Sequence, residues 1–395
     1  MLRRQLPAYS PVAWRAVVAA TRAAAWGDRG GSARRRLVEV LKARYGATDV
    51  LLTDSGTSAL RLALAGAARA HPGGPVALPG YGCYDVATAA VGAGAPVALY
   101  DLDPATLGPD AASLASLRPL DPAAIVIAHL YGQPVGVEAL RAGLGPVLVI
   151  EDAAQGFGGT LDGRPLGSFG SLAVLSFGRG KGVSGGGGGA LLAHDEQGRR
   201  IVHWARTCCD GRTTRGARQA AVLAAQLVLG RPALFGIPSA LPFLHLGETL
   251  YRAPRAPRAA ASASVVALER TIELADREAT IRRANAARWL RDLPVTERVH
   301  RVAAGSGALP GYLRLPLRVS RELLETSTGA ASRRGVARGY PATLAQLPQL
   351  VDRLVGPPRL SGATALSQTL LTLPTHSRVT EADFVAIASW LAGSS

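Results

Sequence analysis

The chain has 395 residues, 48% of them hydrophobic and 18% charged, which excludes a disordered polymer and leaves room for a sizeable core and two domains. Its formal charge is +16, but the basic residues are scattered, with no repeated stripe and no aromatic interleaving. The expectation is therefore attraction to anionic small molecules, with no nucleic acid as partner.

The first 30 residues carry early arginines but no uninterrupted apolar core and no cleavage signal. From Val50 to about Leu192, short apolar runs alternate with helix-length segments: VLLTDSG, PVALPGY, PVALYDLD, AIVIAHLYG, VLVIEDAA, LAVLSFG and GALLAHD. Such runs predict strands buried on both faces of a mostly parallel central sheet sandwiched by helices, an α/β fold. Functional residues in that architecture gather at the carboxyl ends of strands. Asp54 to Thr57, His129, Glu151-Asp152 and Ser176 all stand there.

Between Ala220 and Gly247 an apolar stretch is broken by Arg231, Pro232, Pro238 and Pro242, short of the ~18 unbroken apolar residues of a membrane span. It reads as a buried helix followed by a proline-rich connection; a monotopic membrane contact is the second choice, and stable insertion is not expected. After Gly247 an arginine- and proline-rich linker leads into a long helix whose charges suit an exposed face, then a strand, GYLRLPLRV, and a last helix capped by Thr380. The predicted division is a large domain over residues 1–250 and a smaller C-terminal α/β domain over 251–395.

Three cysteines, Cys83, Cys208 and Cys209, are too few for a disulfide framework, which points to a reducing cytoplasm. Together with seven histidines they show no zinc-ligand spacing, so no metal is expected.

Lys181 stands out. The chain has two lysines, Lys42 and Lys181, and every other basic position is arginine. A primary amine forms a Schiff base with a carbonyl, which a permanently protonated guanidinium cannot do. A Schiff-base lysine usually serves pyridoxal phosphate, and that cofactor makes further demands. Its ring nitrogen needs a carboxylate, for which Asp152 is placed at the end of an apolar strand. Its phosphate needs donors at a helix start, which Ser55, Gly56 and Thr57 supply, with Ser176 adding a hydroxyl. Its ring needs a covering surface: Tyr81 and Tyr84 each fit that role or the core.

In this order the motifs resemble the DegT/DnrJ/StrS family of pyridoxal-phosphate sugar aminotransferases, which have the aspartate aminotransferase fold (fold type I). The resemblance runs from SGTSALRLAL through AHLYGQP and IEDAAQGFGGTLDGRPLGSFGSLAVLSFGRGK to GGGALL, and resumes at LLTLPTHSRVTEADFVAI. It implies Lys181 as the catalytic Schiff-base lysine and proton shuttle. It further implies Asp152 as the pyridinium partner, Gln155 near the phenolic oxygen, and Gly56, Thr57 and Ser176 on the phosphate of pyridoxal 5'-phosphate. The implied reaction moves an amino group, from glutamate, to a keto sugar linked to a nucleotide, in a homodimer. A non-sugar ketone, an elimination, and a regulatory protein that binds without turnover are the alternatives. The pattern departs from the family in three places. Cys83 stands where the stacking aromatic is usual, Gly187 stands where the family has glutamate, and the Asn-Tyr-Arg-Met segment that bridges subunits has no clear counterpart.

Overall fold

A computed structural model describes residues 3–28, 31–241, 247–293 and 296–393. All seven apolar runs form strands of one sheet: β1 (Asp49–Thr53), β2 (Val76–Pro79), β3 (Val97–Tyr100), β4 (Ala124–Ala128), β5 (Val149–Asp152), β6 (Leu172–Ser176) and β7 (Gly189–Ala193). Their order across the sheet is β1-β7-β6-β5-β4-β2-β3. The pairs β2–β3, β2–β4, β4–β5 and β5–β6 are parallel, while β7 runs antiparallel to both its neighbours. Six strands thus point the same way, and their carboxyl ends lie along one edge.

Side chains alternate across a strand, so each run feeds two cores. Leu51, Val174 and Leu191 pack on one face, under α3 (Gly56–Ala70) and α4 (Tyr84–Ala93). Val50, Leu52, Leu175 and Leu192 pack on the other, against α2 (Ser32–Tyr45). Fold class and strand assignments therefore agree with the sequence reading.

The segment from Ala220 departs from it. α5 (Ala217–Leu229) buries only Ala220 and Leu223 fully, and the expected connection contains a further helix, α6 (Pro232–Ser239). α5 is a surface helix packed on α1 (Trp14–Trp26): its outward positions Ala221, Ala225 and Val228 are apolar, which imitates a buried sequence. Residues 242–246, including Pro242, lie outside the described residues.

The long helix is α7 (Ser262–Asp292). Its charges do not all face solvent. Arg282 is fully buried, with Nε donating to the Gly311 carbonyl (3.1 Å) and a terminal nitrogen donating to the Phe157 carbonyl (3.1 Å). The end of α7 covers a second sheet, ordered β8 (Val299–Arg301), β9 (Leu315–Val319), β11 (Leu370–Leu373), β10 (Ala337–Arg338). Trp289 meets Leu317, Leu371 and Phe384 in that core, and Thr380 opens the last helix, α8 (Glu381–Ala392), through a capping box with Asp383.

The sheet edge is packed to backbone contact where β1 hands over to α3. A methyl group on Gly189, opposite both Thr53 and Ser176, would sit 2.4 Å from the Ser55 carbonyl carbon and 2.5 Å from the Gly56 nitrogen. Gly189→Ala should therefore cost about 2 kcal/mol in urea unfolding, because rigid main chain and no flexible side chain must yield.

Candidate active site

Ser55 caps α3 by accepting the Ser58 amide (3.1 Å), which leaves the amides of Gly56 and Thr57 pointing out of the helix start. A Cβ at Gly56 would lie 2.8 Å from Ser176 Cβ, so glycine is what lets the helix start press against the end of β6. That contact brings the Ser176 hydroxyl beside the free amides.

Lys181 follows β6 on a loop held from several sides. Ser10 donates its hydroxyl to the Lys181 carbonyl, and Gly182 has no room for a Cβ, which would meet Phe157 Cβ at 2.6 Å. The glycine tract then doubles back. Gly186, Gly187 and Gly188 have φ of +71°, +150° and +103°, and Phe177 and Gly188 exchange the chain back into register (Phe177 amide to Gly188 carbonyl, 2.9 Å). The tract is tightly packed: a Cβ at Gly186 would lie 2.4 Å from the Gln219 carbonyl oxygen.

Asp152 ends β5, half-buried, with Oδ1 accepting the Ala154 amide (3.0 Å). Burial pushes its carboxyl above the usual range, while that amide and the Lys181 ammonium pull the other way. Gly56, Thr57, Asp152, Gln155, Ser176 and Lys181 all line one cleft, which encloses about 380 Å³ of empty space, its solvent-open mouth included. Of the cofactor residues expected from the sequence, these six are thus in one place, whereas Ser55 does not line the cleft.

Gln155 is engaged by the protein: Oε1 accepts the Tyr131 amide (2.9 Å) and Nε2 donates to the Tyr340 hydroxyl (2.7 Å). The aromatic question also resolves. Tyr81 is fully buried, its hydroxyl accepting the Tyr340 amide (2.7 Å), and Tyr84 packs into the core under α3 and α4. Neither lines the cleft; Cys83 does, its thiol pushed up to about 12 by burial, so it presents a neutral SH there.

Two groups beside the cleft were not foreseen. Asp85, in the first turn of α4, adds a second carboxylate to the cleft wall; its signal was its place just beyond a strand end, as for Asp54 and Asp152. Tyr340 arrives from far along the chain, and no local pattern announces it. His129, also noted at a strand end, turns to the interior, where its Nε2 meets Glu151 Oε1 at 2.7 Å while Nδ1 accepts the Val135 amide (3.2 Å).

The profile of the DegT/DnrJ/EryC1/StrS aminotransferase family matches residues 13–226, more than half of the chain and every strand around the cleft. The chain belongs to this family. Among its curated relatives, GDP-perosamine synthase of Caulobacter vibrioides is 37% identical over 173 residues, 42% of this chain and 46% of that protein. An L-glutamine:2-deoxy-scyllo-inosose aminotransferase of Streptoalloteichus tenebrarius is 34% identical over 178 residues, 44% of this chain and 41% of that protein. The matched stretch thus spans less than half the length of either relative. The fold extends further than the sequence likeness. Sugar aminotransferase CalS13 from Micromonospora echinospora superposes with a TM-score of 0.72 at 21% identity, covering 98% of both chains. A 3-amino-5-hydroxybenzoic acid synthase gives 0.76 at 20% identity, covering 99% of both. These two structures share the fold type I scaffold with this chain over nearly its whole length, while the family profile matches residues 13–226.

Proposed function

We propose that the chain is a pyridoxal-phosphate-dependent aminotransferase that takes an amino group from glutamate and delivers it to a keto sugar linked to a nucleotide. One observation carries this reading: the sole lysine of the strand-end loops shares a cleft with a half-buried carboxylate and a helix start furnished with hydroxyls. That donor set fits the cofactor. When bound, pyridoxal phosphate supplies an electron-withdrawing ring that stabilises negative charge on the substrate carbon. Asp152 would hold a proton at the ring nitrogen, the Gly56 and Thr57 amides and Ser176 hydroxyl would take the phosphate, and Gln155, fixed by Tyr131 and Tyr340, would serve the phenolic oxygen. The Lys181 amine removes the donor's α-proton and returns it. The net charge of +16 favours a diphosphate-linked acceptor.

Fold alone does not choose the reaction. A GDP-4-keto-6-deoxymannose-3-dehydratase also superposes, with a TM-score of 0.73 at 15% identity and coverage of 98% of this chain. Lys181 is what favours transamination over dehydration, since the resemblance implies a Schiff-base lysine that shuttles the α-proton at that position. The reading further includes a homodimer in the cytoplasm, with the division at residues 250 and 251 separating a cofactor-binding domain from the smaller one.

The test is direct. Purified protein given pyridoxal phosphate should absorb in the visible, the band should shift on adding glutamate, and nitrogen-labelled glutamate should leave label in the sugar product. Glutamine, the donor named for several relatives, belongs in a parallel arm. A protein that stays colourless defeats the proposal. Asp152→Asn should lower the glutamate half-reaction by about 10² or more, as expected when a fixed charge at the reacting ring is lost, with the unfolding midpoint little changed.

A second reading has support in Cys83 and Gly187, which depart from the family pattern, and in a relative called pleiotropic regulatory protein from Geobacillus stearothermophilus, 34% identical over 149 residues. It is a regulator that binds cofactor or sugar without turnover. Sustained glutamate-dependent turnover eliminates it.

A further inference from the structure

α1 and α5 lie side by side and antiparallel. Val12, Ala20, Ala220 and Leu223 share a core between them, Arg4 donates its amide to the Pro232 carbonyl at one end, and Arg215 reaches the Ala25 carbonyl at the other. The outward surface of this pair is apolar. On α1, Trp14, Val18, Thr21 and Ala25 follow helical spacing and are exposed, Trp14 to 62%. Trp26 is 65% exposed beside them. On α5 the exposed row is Ala221, Ala225 and Val228, and α6 continues it with Ile237.

This surface is also free of acid. Residues 3–27 and 211–241 contain no Asp or Glu, and together hold eight arginines. Arg15, Arg22, Arg218 and Arg231 are exposed around the apolar rows, and Arg15 sits 5.6 Å from the Trp14 ring centroid. A groove of about 640 Å³ runs between α1 and α2, and its two acids are engaged: Asp28 accepts the Ala33 and Arg34 amides (3.2 and 3.0 Å), and Glu269 accepts from Arg36 (2.8 Å).

We infer that the α1–α5–α6 face docks on an anionic lipid bilayer, with the tryptophans and aliphatic side chains at the headgroup boundary and the arginines on lipid phosphates. The charge decides the occupant. A second copy meeting this face about a twofold axis would set arginine against arginine, and the two carboxylates at its edge, Asp28 and Glu269, already have partners within the chain. A bilayer offers apolar depth and negative charge together, and tryptophan is the residue that prefers that boundary. The contact is peripheral: no helix among the described residues is long and apolar enough to cross a membrane. The inference stands apart from the reaction proposed above and does not depend on it.

The experiment is sedimentation of the full chain with phosphatidylcholine vesicles, with and without phosphatidylglycerol, and with brominated acyl chains to quench inserted tryptophan. The expected result is binding only to the anionic vesicles, weakened by salt, with quenched emission. In the Trp14→Ser/Val18→Ser/Trp26→Ser variant, binding should fall at least tenfold while the thermal unfolding midpoint stays in place. Three results would overturn the inference: no vesicle binding by the wild type; binding without quenching that the variant retains, which is charge alone; and an oligomer that the variant dissolves, which assigns the face to a second copy.

Discussion

Lys181→Ala should abolish the visible band and lower the glutamate half-reaction by about 10⁴-fold or more, the upper range for a general acid–base group, before the lost covalent step is added. The substitution tests chemistry and little else. A hydrogen bond that ties residue 181 to the fold is made by its carbonyl, which accepts the Ser10 hydroxyl and survives any side-chain change. The loop is shaped by Gly182 and the glycines after it, and these are untouched. Urea unfolding should therefore match the wild type to within about 0.5 kcal/mol, the usual range for a partly exposed position. Lys181→Arg is the sharper variant. It keeps the positive charge beside Asp152 and follows the chain's own habit at every basic position but two, yet its guanidinium cannot bond to an aldehyde. Rapid-mixing absorbance should show both variants equally silent. Retained turnover in the arginine variant would mean that residue 181 contributes charge only, and the proposed reaction would fall with it.

Much of this was legible because the chemistry sits on local signals. Seven apolar runs bounded by turn residues mark the seven strands, the edge where those strands end marks Gly56, Thr57, Asp152 and Ser176, and the scarcity of lysine singles out Lys181. Residues that reach the site from afar carry no such mark. Tyr340 joins Gln155 across 185 positions, and Ser10 reaches Lys181 across 171; neither lies in a motif. Amphipathic patterns also mislead when the outward face is itself apolar, as on α5, and when a charge is buried among carbonyls, as Arg282 is on α7. The Cys83 site illustrates a third limit: register placed a cysteine where an aromatic was expected, but only packing showed that Tyr81 and Tyr84 are committed to the core.

Glu151→Ala should be the most destabilising single change near the cleft, costing about 3–5 kcal/mol, the range for removing one partner of a buried charged network. Adjacent residues of a strand face opposite sides, so Asp152 looks into the cleft while Glu151 is fully buried behind it. There its carboxylate meets His129 Nε2 at 2.7 Å and accepts the amides of Gly167, Phe169 (2.8 Å) and Gly170 (3.2 Å). Those amides belong to the turn that starts β6, whose far end carries Ser176 and leads to Lys181. Truncation strands three buried donors and an imidazole at once, and weakened cofactor binding should accompany the lost stability. Burial alone would push the Glu151 carboxyl up, but His129 and the amides outweigh it and hold the carboxyl below its usual value. The sign of the pH effect follows. A group whose folded-state pKa is depressed stabilises the protein above its unfolded pKa, about 4.3 for glutamate, and that stability drains away as pH falls through the folded-state value. Wild-type stability should therefore fall between pH about 4.3 and the lower folded-state value, and this contribution levels off below it. Glu151→Gln, which cannot ionise, should start less stable at neutral pH and show a shallower acid limb; parallel curves would mean that the carboxylate is not ionised in the fold.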